Sequence, residues 1–207
     1  MMILSILLAL LSITRFANAE WVRPAACVAP LVVGSTPCSA EAPVRHFYDT
    51  EKDRCYAFRY TGCGGNANNF ETKRLCEKIC TGDPNRVMCP GSTKPTLNVL
   101  GKTSPCGKPN NTEGLPECVG ADFYRDLGTN FCHDLGAGQC CAVESISKLA
   151  SDFWLFECPD GRTKYAPPSN NSHFKYEKFV LGKNCDTNFC PDGYECVMGN
   201  YYSFCCK

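Results

Sequence analysis

The sequence predicts a small disulfide-rich fold: an α+β unit made of a hairpin and a C-terminal helix, followed by two loop-rich, disulfide-stapled repeats. Three observations predict it. Eighteen cysteines fall into three groups of six. The first group brackets a run of alternating aromatic residues and then a short amphipathic stretch. The second and third groups share a pattern, each opening on Cys-Pro and ending in Cys-Cys.

The cysteine count sets the class. An even number at this density reads as a disulfide framework in an oxidising compartment. The competing reading is zinc. Zinc sites want C-x2-C pairs or Cys/His clusters. The chain has no C-x2-C, and its three histidines (His46, His133 and His173) are scattered. No metal and no cofactor is expected.

Residues 1–19, MMILSILLALLSITRFANA, read as a secretory signal peptide. The apolar run from Ile3 to Ile13 suits an h-region and is too short to span a bilayer. Ala17, Asn18 and Ala19 have the A-x-A form of a cleavage site, which would start the mature chain at Glu20. The run lacks Lys or Arg before it, so an uncleaved anchor is the alternative. The expected location is extracellular, in a matrix. Formal net charge is zero, with no long basic or acidic run, which argues against nucleic-acid and membrane partners. Asn110 and Asn170 stand in N-glycosylation sequons.

The first unit, 27–80, is read from its strand and helix signals. Tyr56, Phe58 and Tyr60 alternate with Ala57 and Arg59, the period of a strand. Residues 46–49 offer a preceding strand, and Glu51, Lys52 and Asp53 the polar turn between them. Thr72 is placed to cap a short helix carrying Leu75, Cys76, Ile79 and Cys80 on one face. Residues 81–88 hold turn formers and read as a linker.

The trailing units, 89–141 and 158–206, read as a diverged repeat. Each carries Leu-Gly-Lys shortly before its second cysteine and Asn-Asn-Thr/Ser between its first and third. Their internal spacings differ. Between them lies a connector, 142–157. Ile146, Leu149, Ala150 and Phe153 fall at helical spacing, while residues 153–156 also suit a buried strand. Core packing is the favoured role for this run; an exposed patch for a partner is the alternative. Units this small bury little apolar surface, so disulfides of about 2–4 kcal/mol each must hold them.

In its first unit the chain resembles the Kunitz family of pancreatic trypsin inhibitors. The motif F-x3-G-C-x6-F-x5-C is matched by Phe58, Gly62, Cys63, Phe70 and Cys76. The resemblance implies the bridges Cys27–Cys80, Cys38–Cys63 and Cys55–Cys76. It makes Asn68 a buried structural residue and Phe47, Tyr48, Phe58 and Phe70 core aromatics. The trailing units resemble lustrin-type cysteine-rich repeats, through Cys-Pro-x-Gly-Tyr-x-Cys at 190–196 before a terminal Cys-Cys. Together the architecture resembles the nematode Kunitz-type proteins of the blistered-cuticle class.

The family's inhibitors present a rigid loop to a serine protease, with the P1 residue just after the second cysteine. Here that loop would hold Pro37, Cys38, Ser39 and Ala40, with Ser39 at P1. Serine has no charge for a trypsin-like pocket and buries little area in an elastase-like one. The loop is also long. Gly34 stands two residues further from Cys38 than the family pattern has it, and one further residue lies between Cys38 and Arg45. Each added residue costs roughly 1–2 kcal/mol to freeze, which Pro37 and Pro43 partly offset. At about 1.4 kcal/mol per tenfold, that turns a tight inhibitor into a poor one.

Two functions follow. One is a secreted matrix protein of cuticle formation, with matrix proteins or serine proteases as partners and a doubtful inhibitory loop. The other is an elastase-type inhibitor with Ser39 at P1. An enzyme is not expected, since phosphate-loop, zincin and hydrolase signatures are absent. A channel-blocking toxin fits poorly with neutral charge and two extra units.

Overall fold

The computed structural model describes residues 21–35, 42–83, 89–97, 101, 103, 130–133, 139–167 and 179–207. The leader at 1–19, the loop residues Pro37, Cys38, Ser39 and Ala40, and the sequons at Asn110 and Asn170 lie outside them.

The alternating aromatics form a hairpin. Strand β1 (Val44–Asp49) pairs antiparallel with β2 (Arg54–Arg59), after a single helical turn α1 (Ala25–Val28). The turn closes where Lys52 donates its N–H to the Asp49 carboxylate at 2.8 Å. Phe47 lies opposite Tyr56, and Tyr48 opposite Cys55. Opposite residues share a face, so one face carries Phe47, Tyr56 and Phe58 and the other Tyr48, Cys55 and Ala57.

Helix α2 (Lys73–Cys80) follows, with Thr72 as its N-cap: the Thr72 hydroxyl accepts the Leu75 N–H at 3.1 Å. Its buried residues are Cys76 and Cys80. Leu75, expected on that face, is 39% exposed, because the bridges draw the Cys76–Cys80 edge inward. Cys27 is bonded to Cys80 and Cys55 to Cys76. These sulfurs pack with Tyr48 and Phe70 as one small core. Asn68 is buried inside it. Its Oδ1 accepts the Tyr48 N–H at 2.7 Å, and its Nδ2 donates to the carbonyls of Tyr48 and Ala29, each at 2.8 Å. A buried amide satisfied this fully is structural.

The other hairpin face packs against a part of the chain that the sequence reading did not assign to it. Phe47, Tyr56 and Phe58 belong to a second core shared with Leu149, Phe179, Leu181, Tyr202 and Phe204. A hairpin of alternating aromatics has two apolar faces, and α2 with its disulfides covers one. The C-terminal segment covers the other, and the sheet continues into it. The Ala57 N–H donates to the Leu181 carbonyl at 2.8 Å, and Gly182 bridges Ala57 on one side and Ser203 on the other. Beyond it, β6 (Ser203–Cys206) pairs with β5 (Glu195–Met198). The lateral order is therefore β1, β2, the Gly182 bridge, β6, β5.

Between these parts lie β3 (Asn130–His133), β4 (Gln139–Ala142) and helix α3 (Val143–Phe153). Helix α3 buries Ile146 and Leu149, and Phe153 packs edge-on to Tyr202 at 5.7 Å. Residues 153–156 are not a buried strand. Phe153 ends the helix, and Trp154, Leu155 and Phe156 are 40%, 57% and 55% exposed. The chain turns there into the Glu157–Thr163 bridge, which leaves these side chains partly in solvent, with the Phe156 ring edge-on to Phe179.

The trailing cysteine groups share one pairing rule. The first cysteine of each is bonded to the last: Cys89 to Cys141 and Cys158 to Cys206. In the last group Cys185 pairs with Cys196 and Cys190 with Cys205. No helix among the described residues is long and apolar enough to cross a membrane.

Candidate functional site: the flanks of the Kunitz loop

The stretch expected to be reactive, Pro37, Cys38, Ser39 and Ala40, lies outside the described residues, and two described limbs flank it. The first limb, 30–35, is hydrogen-bonded to the first unit, and its Leu31 packs against the core shared with the C-terminal segment. The Thr61 N–H donates to the Val33 carbonyl and the Ser35 N–H to the Cys63 carbonyl, both at 3.0 Å. The Asn66 amide donates to the Pro30 carbonyl at 2.8 Å. Gly34 makes the approach possible. Its φ is +99°, and a Cβ there would strike the Thr61 hydroxyl and the Cys63 carbonyl. Cys63 is disulfide-bonded.

The second limb, 42–44, is hydrogen-bonded to the end of β2 and is joined through it to the C-terminal segment. The Tyr60 N–H donates to the Pro43 carbonyl at 3.0 Å. Arg59, at the end of β2, does the rest. Its Nη1 donates to the Ala42 carbonyl at 3.0 Å, its Nη2 to the Cys190 carbonyl at 2.7 Å and its Nε to the Asn188 carbonyl at 3.2 Å. One guanidinium thus ties the loop limb to residues 188–190. A planar fork with several fixed donors suits three carbonyls converging from two segments. Val44 packs with Ala57, Phe189 and Cys205 beneath it.

Arg59 was not legible as a site residue. In the sequence it is the polar partner in an alternating strand, the position that normally faces water. Two of its three acceptors are backbone carbonyls 129 and 131 positions away, and carbonyls leave no residue-type signal.

Among the described residues no group of three His, Cys, Asp or Glu side chains could hold a metal. The one histidine in the first unit, His46, lies in β1, paired through the backbone with Phe70 at 2.7 and 2.8 Å. Burial, and then the charge of Lys73, lowers its pKa to about 4, so it is neutral at physiological pH.

Comparisons with known proteins identify the first unit's domain family. The Kunitz/Bovine pancreatic trypsin inhibitor domain family matches residues 26–81. The major allergen Ani s 1 of Anisakis simplex is 31% identical over 87% of this chain and 86% of its own length. A BPTI/Kunitz inhibitor domain-containing protein of Caenorhabditis elegans is 25% identical over 88% of this chain and 89% of its own. Mouse tissue factor pathway inhibitor 2 is 34% identical over 58% of this chain, which spans 44% of that protein.

Proposed function

Because this chain belongs to the family of Kunitz-domain proteins that includes Ani s 1 of Anisakis simplex, we propose that it is a secreted extracellular-matrix protein acting in cuticle formation. The domain family is one of protease inhibitors, and in this reading its unit serves as a scaffold for protein contacts and not as a tight inhibitor.

The observation that carries the reading is the shared core. Phe47, Tyr56 and Phe58 of the Kunitz hairpin pack against Leu181, Tyr202 and Phe204 of the C-terminal segment. An autonomous inhibitor needs only its own core and a free loop. Here one hairpin face is committed to joining two parts of a larger molecule. The loop count argues the same way: Ser39 is a weak P1 residue in a lengthened loop. Likeness to two nematode proteins over most of the chain supports the setting.

The test is direct. The oxidised protein is assayed against trypsin, chymotrypsin and elastase, and its distribution between soluble and crosslinked matrix fractions is measured. No sub-micromolar inhibition and retention in the matrix fraction are expected. Sub-micromolar inhibition of elastase, with recovery as a soluble 1:1 complex, replaces this reading with elastase-type inhibition through Ser39.

A further inference from the structure

Where the three cysteine groups meet, one buried hydroxyl is left over. Tyr56 is 2% exposed, with its ring packed on Phe47 at 6.0 Å and on Tyr202 at 5.6 Å. It lines a cleft of about 240 Å³. Among the described residues nothing hydrogen-bonds its hydroxyl. A buried phenol normally finds a partner for its O–H. Burial first, then Tyr202, Asp49 and Glu51, raise its pKa, so the hydroxyl stays protonated. Asp49 and Glu51 also hold Lys183, at 2.6 and 3.8 Å, and Glu51 holds Lys52 at 3.3 Å. Both lysines line the same cleft.

Each cysteine group supplies a wall. Lys52 comes from the hairpin turn, Gly91 and Ser92 from the segment opened by Cys89, and Met198, Asn200 and Tyr201 from the last group. The walls are tied to one another. The Ser92 hydroxyl donates to the Lys52 carbonyl. Gly91, at φ +70°, lies so close to the Tyr201 ring that a Cβ would strike it. The Asn200 Nδ2 donates to the Ser151 hydroxyl at 2.8 Å and the Asp152 carboxylate at 3.2 Å, which leaves its Oδ1 as an open acceptor. A cleft held this way loses little freedom when it is filled.

Its charge selects the ligand. Two ammonium groups and the two carboxylates that pair them sum to zero. An anion meets Asp49 and Glu51, and a cation meets Lys52 and Lys183. A neutral ligand meets neither penalty. It has to satisfy a phenol, two ammonium groups and an amide oxygen, and to lay an apolar face on Tyr201 and on Met198, which is 54% exposed. A pyranose ring has hydroxyls around its rim and C–H groups on its face. A peptide amide is also neutral, but it offers one donor and one acceptor, fewer than the groups gathered here. The volume lies below the roughly 300–1,000 Å³ of pockets for drug-sized ligands, which suits a single ring. We propose that this cleft binds one neutral sugar ring, with the Tyr56 hydroxyl as its buried contact and Met198 and Tyr201 as its apolar wall. The site belongs to the assembled chain, since the first unit supplies only Lys52 and Tyr56. It goes beyond the matrix reading and does not involve the Kunitz loop.

The test is a titration of the full oxidised, isotope-labelled chain with D-glucose, D-galactose, D-mannose and N-acetyl-D-glucosamine, followed by the amide signals of residues 52, 91, 92, 183, 184 and 198–201. Sulfate and N-methylacetamide are the anion and peptide-amide controls. At least one sugar should give saturable shifts confined to these amides, and the controls should give none. Tyr56→Phe removes a hydroxyl that no described group holds, so its melting temperature should not fall, while sugar affinity should drop at least tenfold. Met198→Glu, on the exposed wall, should also weaken binding. No saturable shift with any of the four sugars overturns the proposal, as does tighter binding of sulfate or N-methylacetamide at the same amides. Sugar affinity of Tyr56→Phe within twofold of the parent overturns it too, because the buried contact would then play no part.

Discussion

The guanidinium of Arg54 in β2 donates to the hydroxyl of Tyr202, 148 residues further along the chain, at 2.7 Å. The same guanidinium reaches the Cys89 carbonyl at 3.5 Å and lies over the rings of Tyr201 and Tyr202. Arg54 therefore touches all three cysteine groups: its own, the one opened by Cys89 and the one that ends at Cys206. The Tyr202 ring packs on Tyr56 of the first unit and on Phe153 of α3. Removing the hydroxyl leaves a partly buried charged donor without its closest acceptor. Tyr202→Phe is expected to cost about 1–3 kcal/mol. Because the cores are joined, the loss should appear in one cooperative transition and not in a separate C-terminal one. Denaturant unfolding followed by near-UV circular dichroism and by tryptophan fluorescence checks this. Two resolved transitions would contradict the joined core.

Gly182 is the hinge of the continuous sheet, and it has no room for a side chain. A Cβ there would run into the Phe189 ring and come to 2.7 Å from the Ser203 hydroxyl. The backbone on both sides is committed to ladder hydrogen bonds, so it cannot shift to make room. Gly182→Ala is expected to destabilise by about 1–3 kcal/mol through overpacking. Gly161 is the control. Nothing lies within 4 Å of its Cβ position, so only its φ of +83° penalises alanine there. Melting temperatures of the two variants under oxidising conditions should rank Gly182→Ala well below Gly161→Ala.

The two sites show what a sequence can and cannot carry. The β1–β2 hairpin was readable because the alternation of Tyr56, Phe58 and Tyr60 is a local signal, as is Thr72 three residues before Leu75. The class of fold followed from the cysteines. What covers the Phe47, Tyr56 and Phe58 face was not readable, because alternation shows that a face is apolar and not what lies against it. The family likeness made Phe47 and Phe58 core aromatics, and both are buried; the core they enter includes Tyr202 and Phe204. Arg54 and Arg59 look like ordinary strand polar residues, and their partners are a distant phenol and distant carbonyls. The apolar run at 153–156 was ambiguous for a related reason. Its composition fits burial, yet the helix ends at Phe153, which packs against the core, and Phe156 meets that core with a half-exposed ring set edge-on to Phe179.

His46 makes stability depend on pH. Burial is the larger cause and Lys73 the smaller, and together they lower its pKa from 6.5 to about 4. Its Nδ1 is buried without a hydrogen-bond partner. The unfolded chain therefore takes up a proton on this residue at a higher pH than the folded chain does. The stabilisation is complete above about pH 6.5 and is lost as pH falls toward 4, to the extent of about 2–3 kcal/mol. Carboxylates titrate near the lower end of the window, so the test is a comparison. Unfolding free energies of the parent and of His46→Gln are measured from pH 7 to pH 4. The parent should lose more across the window, and parallel profiles would show that His46 does not contribute.

Asp152 links the end of α3 to the turn between β5 and β6. It is 1% exposed. Its Oδ2 accepts the N–H groups of Tyr201 at 2.6 Å and Tyr202 at 3.1 Å, and its Oδ1 that of Asn200 at 3.0 Å. Lys164 completes the arrangement from the other side. Its Nζ donates to the carbonyls of Ser151 and Asp152, at 3.0 and 2.9 Å, and lies 4.0 Å from the centre of the Phe204 ring. A cation on the last carbonyls of a helix is favourable, and the nearby carboxylate offsets part of the cost of burying it. Burial lowers the Lys164 pKa. Asp152→Asn keeps the shape but offers one oxygen where three N–H groups now find two. It is expected to cost about 2 kcal/mol, and Asp152→Ala about 3–5 kcal/mol, since it leaves buried donors unpaired. Lys164→Met should cost less than Asp152→Ala, because the methionine can fill the space over Phe204 and only two carbonyls lose a donor. Unfolding free energies of the three variants test the order. A Lys164→Met loss larger than that of Asp152→Ala would mean that the cation, and not the capped turn, holds α3 against the C-terminal strands.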